Sequence, residues 1–139
     1  MKKQHVSLFA LICLLGALPL AGQNKADDVT GYYYCIDPFT KEASQNQIYK
    51  AIDGTYEGKV VWVANPKLQH HVNLVFLTGL TFNAKENEWE NGKLIYPGKN
   101  GVYKTYMSLL SPTQLKVRGY WGVAMLGKTV YWTKEEKKR

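Results

Sequence analysis

The chain has 139 residues, 13% of them aromatic and 21% charged, and a formal net charge of +7. That length holds one domain with a core of its own, and two cysteines exclude a disulfide-stapled framework. The positive excess sits largely at the two ends, because residues 22–133 carry 12 basic and 9 acidic side chains, a balance typical of soluble surfaces and not of a nucleic-acid binder.

Lys2 and Lys3 precede an apolar run over residues 6–18, interrupted only by Ser7 and Gly16. Pro19 ends any helix there, and the small residues Ala21 and Gly22 follow. This is the layout of a cleaved signal peptide over residues 1–22, and the run is too short for a permanent span. The reading predicts an exported protein, periplasmic or extracellular. Its mature part is one domain over residues 23–133 with a charged tail over residues 134–139. Cys13 leaves with the signal, so Cys35 stands alone between Tyr34 and Ile36. A lone cysteine in an aromatic strand behaves as a small apolar residue, and no base near it in sequence would make it a nucleophile.

The mature sequence reads as successive β-strands near residues 30–36, 45–52, 55–63, 72–82, 89–96, 101–110, 114–120 and 128–133. Asp53-Gly54 predicts a two-residue hairpin turn with positive φ at both positions. Pro97-Gly98-Lys99-Asn100-Gly101 forms a glycine-rich turn, and Pro112 presets a tight one. Residues 72–82 are an apolar run that fits either a bent buried strand or a short helix capping a barrel. Eight short strands at even spacing indicate an antiparallel barrel or sandwich. Alternation divides residues 101–110 into a face with Tyr103, Thr105, Met107 and Leu109 and a face with Val102, Lys104, Tyr106 and Ser108. In residues 114–120, Leu115 and Val117 oppose Lys116, Arg118 and Tyr120.

Chemistry-bearing patterns are sparse. His70 and His71 are adjacent, so on a strand they point to opposite faces, and zinc-ligand spacing is absent. Glu86, Glu88 and Glu90 alternate along one face with Trp89 opposed, which reads as a solvated face. No nucleophile elbow, phosphate loop or dinucleotide fingerprint occurs, and the serines have no evident base. The expectation is no enzyme, no metal and no cofactor. The aromatic residues are the strongest signal. Tyrosine and tryptophan pair a large apolar area with one polar tip, which suits the wall of a ligand pocket and equally suits β-strands filling a small core.

Residues 115–134 carry Leu115, Val117, Arg118, Gly119, Tyr120, Gly122, Leu126, Gly127, Lys128, Thr129 and Trp132 in a spacing that resembles the C-terminal signature of the bacterial family domain of unknown function 2147. Gly31-Tyr32-Tyr33 is similar to that family's first-strand glycine-x-tryptophan, and Gly58-Lys59-Val60-Val61 to its third strand. Trp89, Gly92, Ile95-Tyr96-Pro97, Gly101 and Tyr103 fit its central region. Tyr33 replaces the usual tryptophan and Lys128 the usual arginine. The loop between Ala64 and Val72 lacks the cysteine pair of many members. The resemblance implies a secreted or periplasmic lipocalin-like barrel with no established activity. In such barrels a cation from near the C-terminus covers the first-strand aromatic. Here Gly31 and Tyr33 would be closed over by Arg118 or Lys128, a contact of about 0.5–2 kcal/mol.

The expected architecture is therefore all-β, an antiparallel up-and-down barrel of about eight strands, lipocalin-like, preceded by a cleaved signal peptide. The expected function is non-catalytic binding of a small, partly apolar or amphipathic molecule, with Tyr34, Trp62, Tyr103 and Tyr131 as ligand-binding residues. One alternative is an envelope interaction or structural module with a filled barrel, and a second is an enzyme at the barrel mouth. No nucleic-acid partner is expected, and the basic tail is a weak anionic-lipid contact.

Overall fold

The computed structural model describes residues 24–97, 101–122 and 126–139; the expected signal peptide and the centre of the glycine-rich turn at residues 98–100 lie outside them. Eight strands, β1 (Gly31–Ile36), β2 (Ala43–Lys50), β3 (Tyr56–Val63), β4 (Val75–Asn83), β5 (Glu88–Ile95), β6 (Val102–Ser111), β7 (Gln114–Tyr120) and β8 (Gly127–Glu135), follow in chain order. Each pairs antiparallel with the next, and β8 returns to β1, closing the barrel. Closure removes the exposed strand edges that would otherwise recruit other chains.

The alternation left open by sequence is now resolved. Met107, Thr105, Leu115 and Val117 are buried on the inner face, while Lys104, Lys116 and Arg118 stand on the outer one. The apolar run ambiguous between strand and helix is β4. Gly79 within it has φ 77° and Asn91 of β5, whose carbonyl oxygen would lie 3.5 Å from a Cβ at Gly79, has φ 65°, a region glycine and asparagine enter most readily. The turn after β2 differs from the expected two-residue hairpin. Only Gly54 has positive φ, the Ala51 and Thr55 backbones bond at 2.7 Å, and Asp53 Oδ1 accepts from the Thr55 N–H at 2.9 Å. The aspartate side chain stabilises a wider turn through its own hydrogen bond.

One end of the barrel is closed by an N-terminal 3-10 turn, Ala26–Val29. Val29 is fully buried beneath the strands. Tyr33 Oη donates to the Val29 carbonyl at 2.8 Å, Trp89 Nε1 donates to the Ala26 carbonyl at 2.9 Å, and Tyr56 Oη donates to Asp27. Three buried aromatics thus use their polar tips to satisfy the turn, which is what burial of such groups requires. Above them the core is packed with aromatic side chains. Trp132 of β8 lies 6.2 Å from the Tyr33 ring and 6.2 Å from the ring of Phe76 on the opposite wall, and Phe82 packs on Trp89 at 4.8 Å.

Candidate functional site

The seam between β1 and β8 is short: three facing pairs join them, Tyr32 with Glu135, Tyr33 with Lys134 and Tyr34 with Thr133, as few as join β3 to β4. Beyond them β1 stays paired with β2 as far as Ile36 and Ala43, and β8 stays paired with β7 back to Gly127 and Tyr120. The two strands therefore part, and a groove of about 380 Å³ opens between them. Its walls combine both strand faces: Cys35 and Val130 pack toward the core, while Tyr34 and Tyr131 stand on the outer side, with Asp37, Pro38 and Lys41 across the top. That volume falls in the range of small-molecule sites.

The groove's polar groups are largely committed to the protein. Asp37 Oδ1 accepts from the Phe39 and Thr40 N–H groups at 2.7 and 3.0 Å. Lys41 Nζ donates to the Pro38 carbonyl at 3.0 Å. Behind the groove, Cys35 Sγ lies 3.1 Å from Ser44 Oγ and accepts from Asn46 Nδ2 at 3.1 Å. Asn46 Oδ1 and Thr105 Oγ1 are buried with no hydrogen-bond partner, and neither residue lines the groove.

Burial pushes the Cys35 thiol from its ordinary 9.0 up to about 11; the Asp37 charge adds to this, and hydrogen bonds from Ser44 and Asn46 oppose it. A thiol raised in this way is a poor nucleophile at physiological pH. Because the folded protein holds this proton more tightly than the unfolded chain does, its stabilising effect is complete below pH 9 and is lost as pH rises toward about 11. Guanidinium titrations across that window should show wild-type stability falling more steeply than that of Cys35→Ala; parallel curves would place the thiol in contact with solvent.

Of the four aromatic residues expected to bind ligand, Tyr34 and Tyr131 line the groove. Tyr103 lies apart, half-buried on β6 opposite Leu94. Trp62 stands elsewhere on the outer surface, where the Arg139 guanidinium stacks 4.7 Å from the Tyr34 ring and 4.9 Å from the Trp62 ring. Arg139 also forms a two-pronged bond with Glu135 at 2.8 and 2.7 Å, and its N–H donates to Gln45 Oε1 at 3.0 Å. The C-terminal segment is consequently strapped across β1, β2 and β3, and is not a free basic tail. Gln45, fully buried beneath it, also donates from Nε2 to Glu135 at 3.0 Å and to the Lys137 carbonyl at 2.9 Å.

The closing cation also differs from expectation. Lys134 Nζ lies 5.9 Å from the Tyr33 ring centre and donates to the Asp28 carbonyl at 3.2 Å. Gly31, at φ 143°, leaves room for that side chain, since a Cβ there would sit 2.7 Å from Lys134 Cε. Arg118 instead donates to Thr129 Oγ1 at 2.8 Å on the outer wall, and Lys128 lies 5.3 Å over the Phe39 ring at the open end. The reason is register: β8 continues to Glu135, two residues past the expected strand end, and places Lys134 directly opposite Tyr33.

His70 and His71 occupy a 3-10 helix, Pro66–His71, with ring centres 4.4 Å apart. Among the described residues no group of histidine, cysteine and carboxylate side chains is arranged to hold a metal ion. Glu88 and Glu90 stand half-exposed on the outer side of β5, with Trp89 inward. Burial, then the charges of Glu90 and Glu86, raise the Glu88 carboxyl above its ordinary range.

A closed eight-strand antiparallel barrel plugged at one end by an N-terminal 3-10 turn is of the lipocalin-like class. Residues 31–134 match the family model of uncharacterised proteins conserved in bacteria, domain of unknown function 2147, and the chain belongs to that family. Among solved structures it is similar to protein HP1028 from the human pathogen Helicobacter pylori, described as belonging to the lipocalin family. The two are 18% identical with a TM-score of 0.66, covering 78% of this chain and 84% of that one. No curated protein matches the chain.

Proposed function

We propose that the protein is an exported, non-catalytic binder of a small, partly apolar molecule, held in the groove where β1 and β8 part. The observation that carries this reading is the groove itself, with aromatic and aliphatic walls from Tyr34, Ile36, Val130 and Tyr131. An apolar body would lie between the two tyrosines. The neutral Cys35 thiol and the committed Asp37 carboxylate supply no acid–base pair, which favours binding over chemistry.

N-Phenyl-1-naphthylamine is a suitable probe, being neutral, largely apolar and equipped with one N–H. Its fluorescence should rise on binding, and Tyr131→Ala should weaken that binding by about tenfold, the loss of one aromatic wall contact. Trp121→Ala, at a residue that does not line the groove, should leave it unchanged. Equal affinity in wild type and Tyr131→Ala would remove the groove as the site.

An envelope interaction module is the second reading. It is favoured by the exposed apolar residues at the open end, Phe39, Ile95, Val102, Trp121 and Leu126 among them.

A further inference from the structure

Charge is unevenly distributed between the two ends of the barrel. β1, β3, β5 and β7 run toward the open end, so the described residues of that end are 37–42, 64–74, 96–97, 101, 121–122 and 126 with the adjoining strand tips. Of the chain's 11 acidic residues, only Asp37 and Glu42 lie there, and both are turned inward to the protein. Asp37 accepts backbone N–H groups of its own loop, and Glu42 accepts from Asn65 Nδ2 at 3.0 Å. The basic side chains Lys41, Lys67, Lys93, Lys104, Arg118 and Lys128 belong to the same end.

The same rim is apolar where it faces outward. Phe39, Leu74, Ile95, Val102, Trp121 and Leu126 are all exposed, one or more from each of the four connections or their flanks, with Trp121 at 74%. A second feature points to the sign of what meets this rim. Lys93 and Lys104 face each other directly across β5 and β6. Like charges in that relation repel, and neither has an ion-pair partner among the described residues. The repulsion is relieved when an anionic surface lies against both.

We propose that the open rim docks on an anionic lipid surface, with Trp121, Leu126 and Phe39 entering the interface and the Lys93–Lys104 pair meeting lipid phosphates. The combination of exposed aromatic and aliphatic tips with lysines behind them is the composition by which proteins lie on membranes, and each lysine brought to an anionic leaflet strengthens partitioning by about fivefold. The docking element is then the rim, not the C-terminal segment, whose Arg139 is held by Tyr34, Trp62 and Glu135. This inference does not depend on the groove binding a ligand, although docking would set the groove's upper end close to the lipid.

The experiment is sedimentation of the protein with vesicles of phosphatidylcholine alone or mixed equally with phosphatidylglycerol, at low and high salt. The mixed vesicles should bind at least about tenfold more tightly at low salt, and high salt should abolish most of the difference. Vesicles with brominated acyl chains should quench the Trp121 emission. Lys93→Gln with Lys104→Gln should lower binding by about tenfold or more without lowering the melting temperature, since the substitutions remove a repulsion. Trp121→Ser with Leu126→Ser should abolish quenching, while Tyr131→Ala should bind vesicles as wild type does, which separates this test from that of the groove. Equal binding to neutral and anionic vesicles, binding without quenching, or self-association through the rim with no vesicle binding would each overturn the proposal.

Discussion

Trp89→Ala should lower the free energy of unfolding by about 3–5 kcal/mol, the range for deleting a large aromatic from a packed core. Trp89 is fully buried, packs on Phe82 and donates its indole N–H to the Ala26 carbonyl. The truncation therefore opens a cavity at the closed end and unfastens the N-terminal plug together. Its effect is large against the 5–15 kcal/mol that holds a typical domain folded. Trp89→Phe separates the two contributions, because it keeps most of the buried area and loses one hydrogen bond, about 1 kcal/mol. Hydrogen exchange at the Thr30 N–H, which bonds to Asp27 O at 3.0 Å, should accelerate in both variants. Guanidinium denaturation giving a loss below about 1 kcal/mol for Trp89→Ala would contradict the role of this side chain as the bolt of the closed end.

The second large effect concerns the barrel axis. Trp132 stands between Tyr33 and Phe76, bridging opposite walls, with 5% of its surface exposed. Trp132→Ala should cost about 3–5 kcal/mol and leave a void lined by apolar side chains. A dry apolar cavity accepts a matching apolar solute, so indole should restore part of the lost melting temperature in Trp132→Ala and leave wild type unmoved. Rescue in the variant alone would establish that the wild-type axis is filled and that binding must occur elsewhere. Equal stabilisation of wild type by indole would mean that the axis is already open.

Much of the fold was legible because each strand repeats one simple pattern. The alternation in residues 101–110 separated Met107 and Thr105 from Lys104, and the pairing of β6 with β7 places Leu115 and Val117 on the same inner side. Chain-distant contacts were not legible. Lys134 was counted with the tail, since no local signal extends β8 past Thr133; only pairing with β1 does so. Arg139 over Tyr34 and Trp62 is a contact between segments more than 70 residues apart in the chain, with no spacing rule to announce it. Tyr34 and Tyr131 were visible as strand aromatics, but the groove they share exists because the β1–β8 ladder is short, and ladder length is a property of closure. Cys35 was correctly legible as buried, and its neighbours Ser44 and Asn46 come from the facing strand.

The seam between β1 and β8 is the proposed seat of a small molecule. Native mass spectrometry of the protein purified from a bacterial envelope tests it most directly. The wild type should carry a reproducible adduct of one small molecule per chain, retained in Trp121→Ala and depleted in Tyr131→Ala. A clean unliganded mass for the wild type, or an adduct that Tyr131→Ala keeps in full, would contradict it.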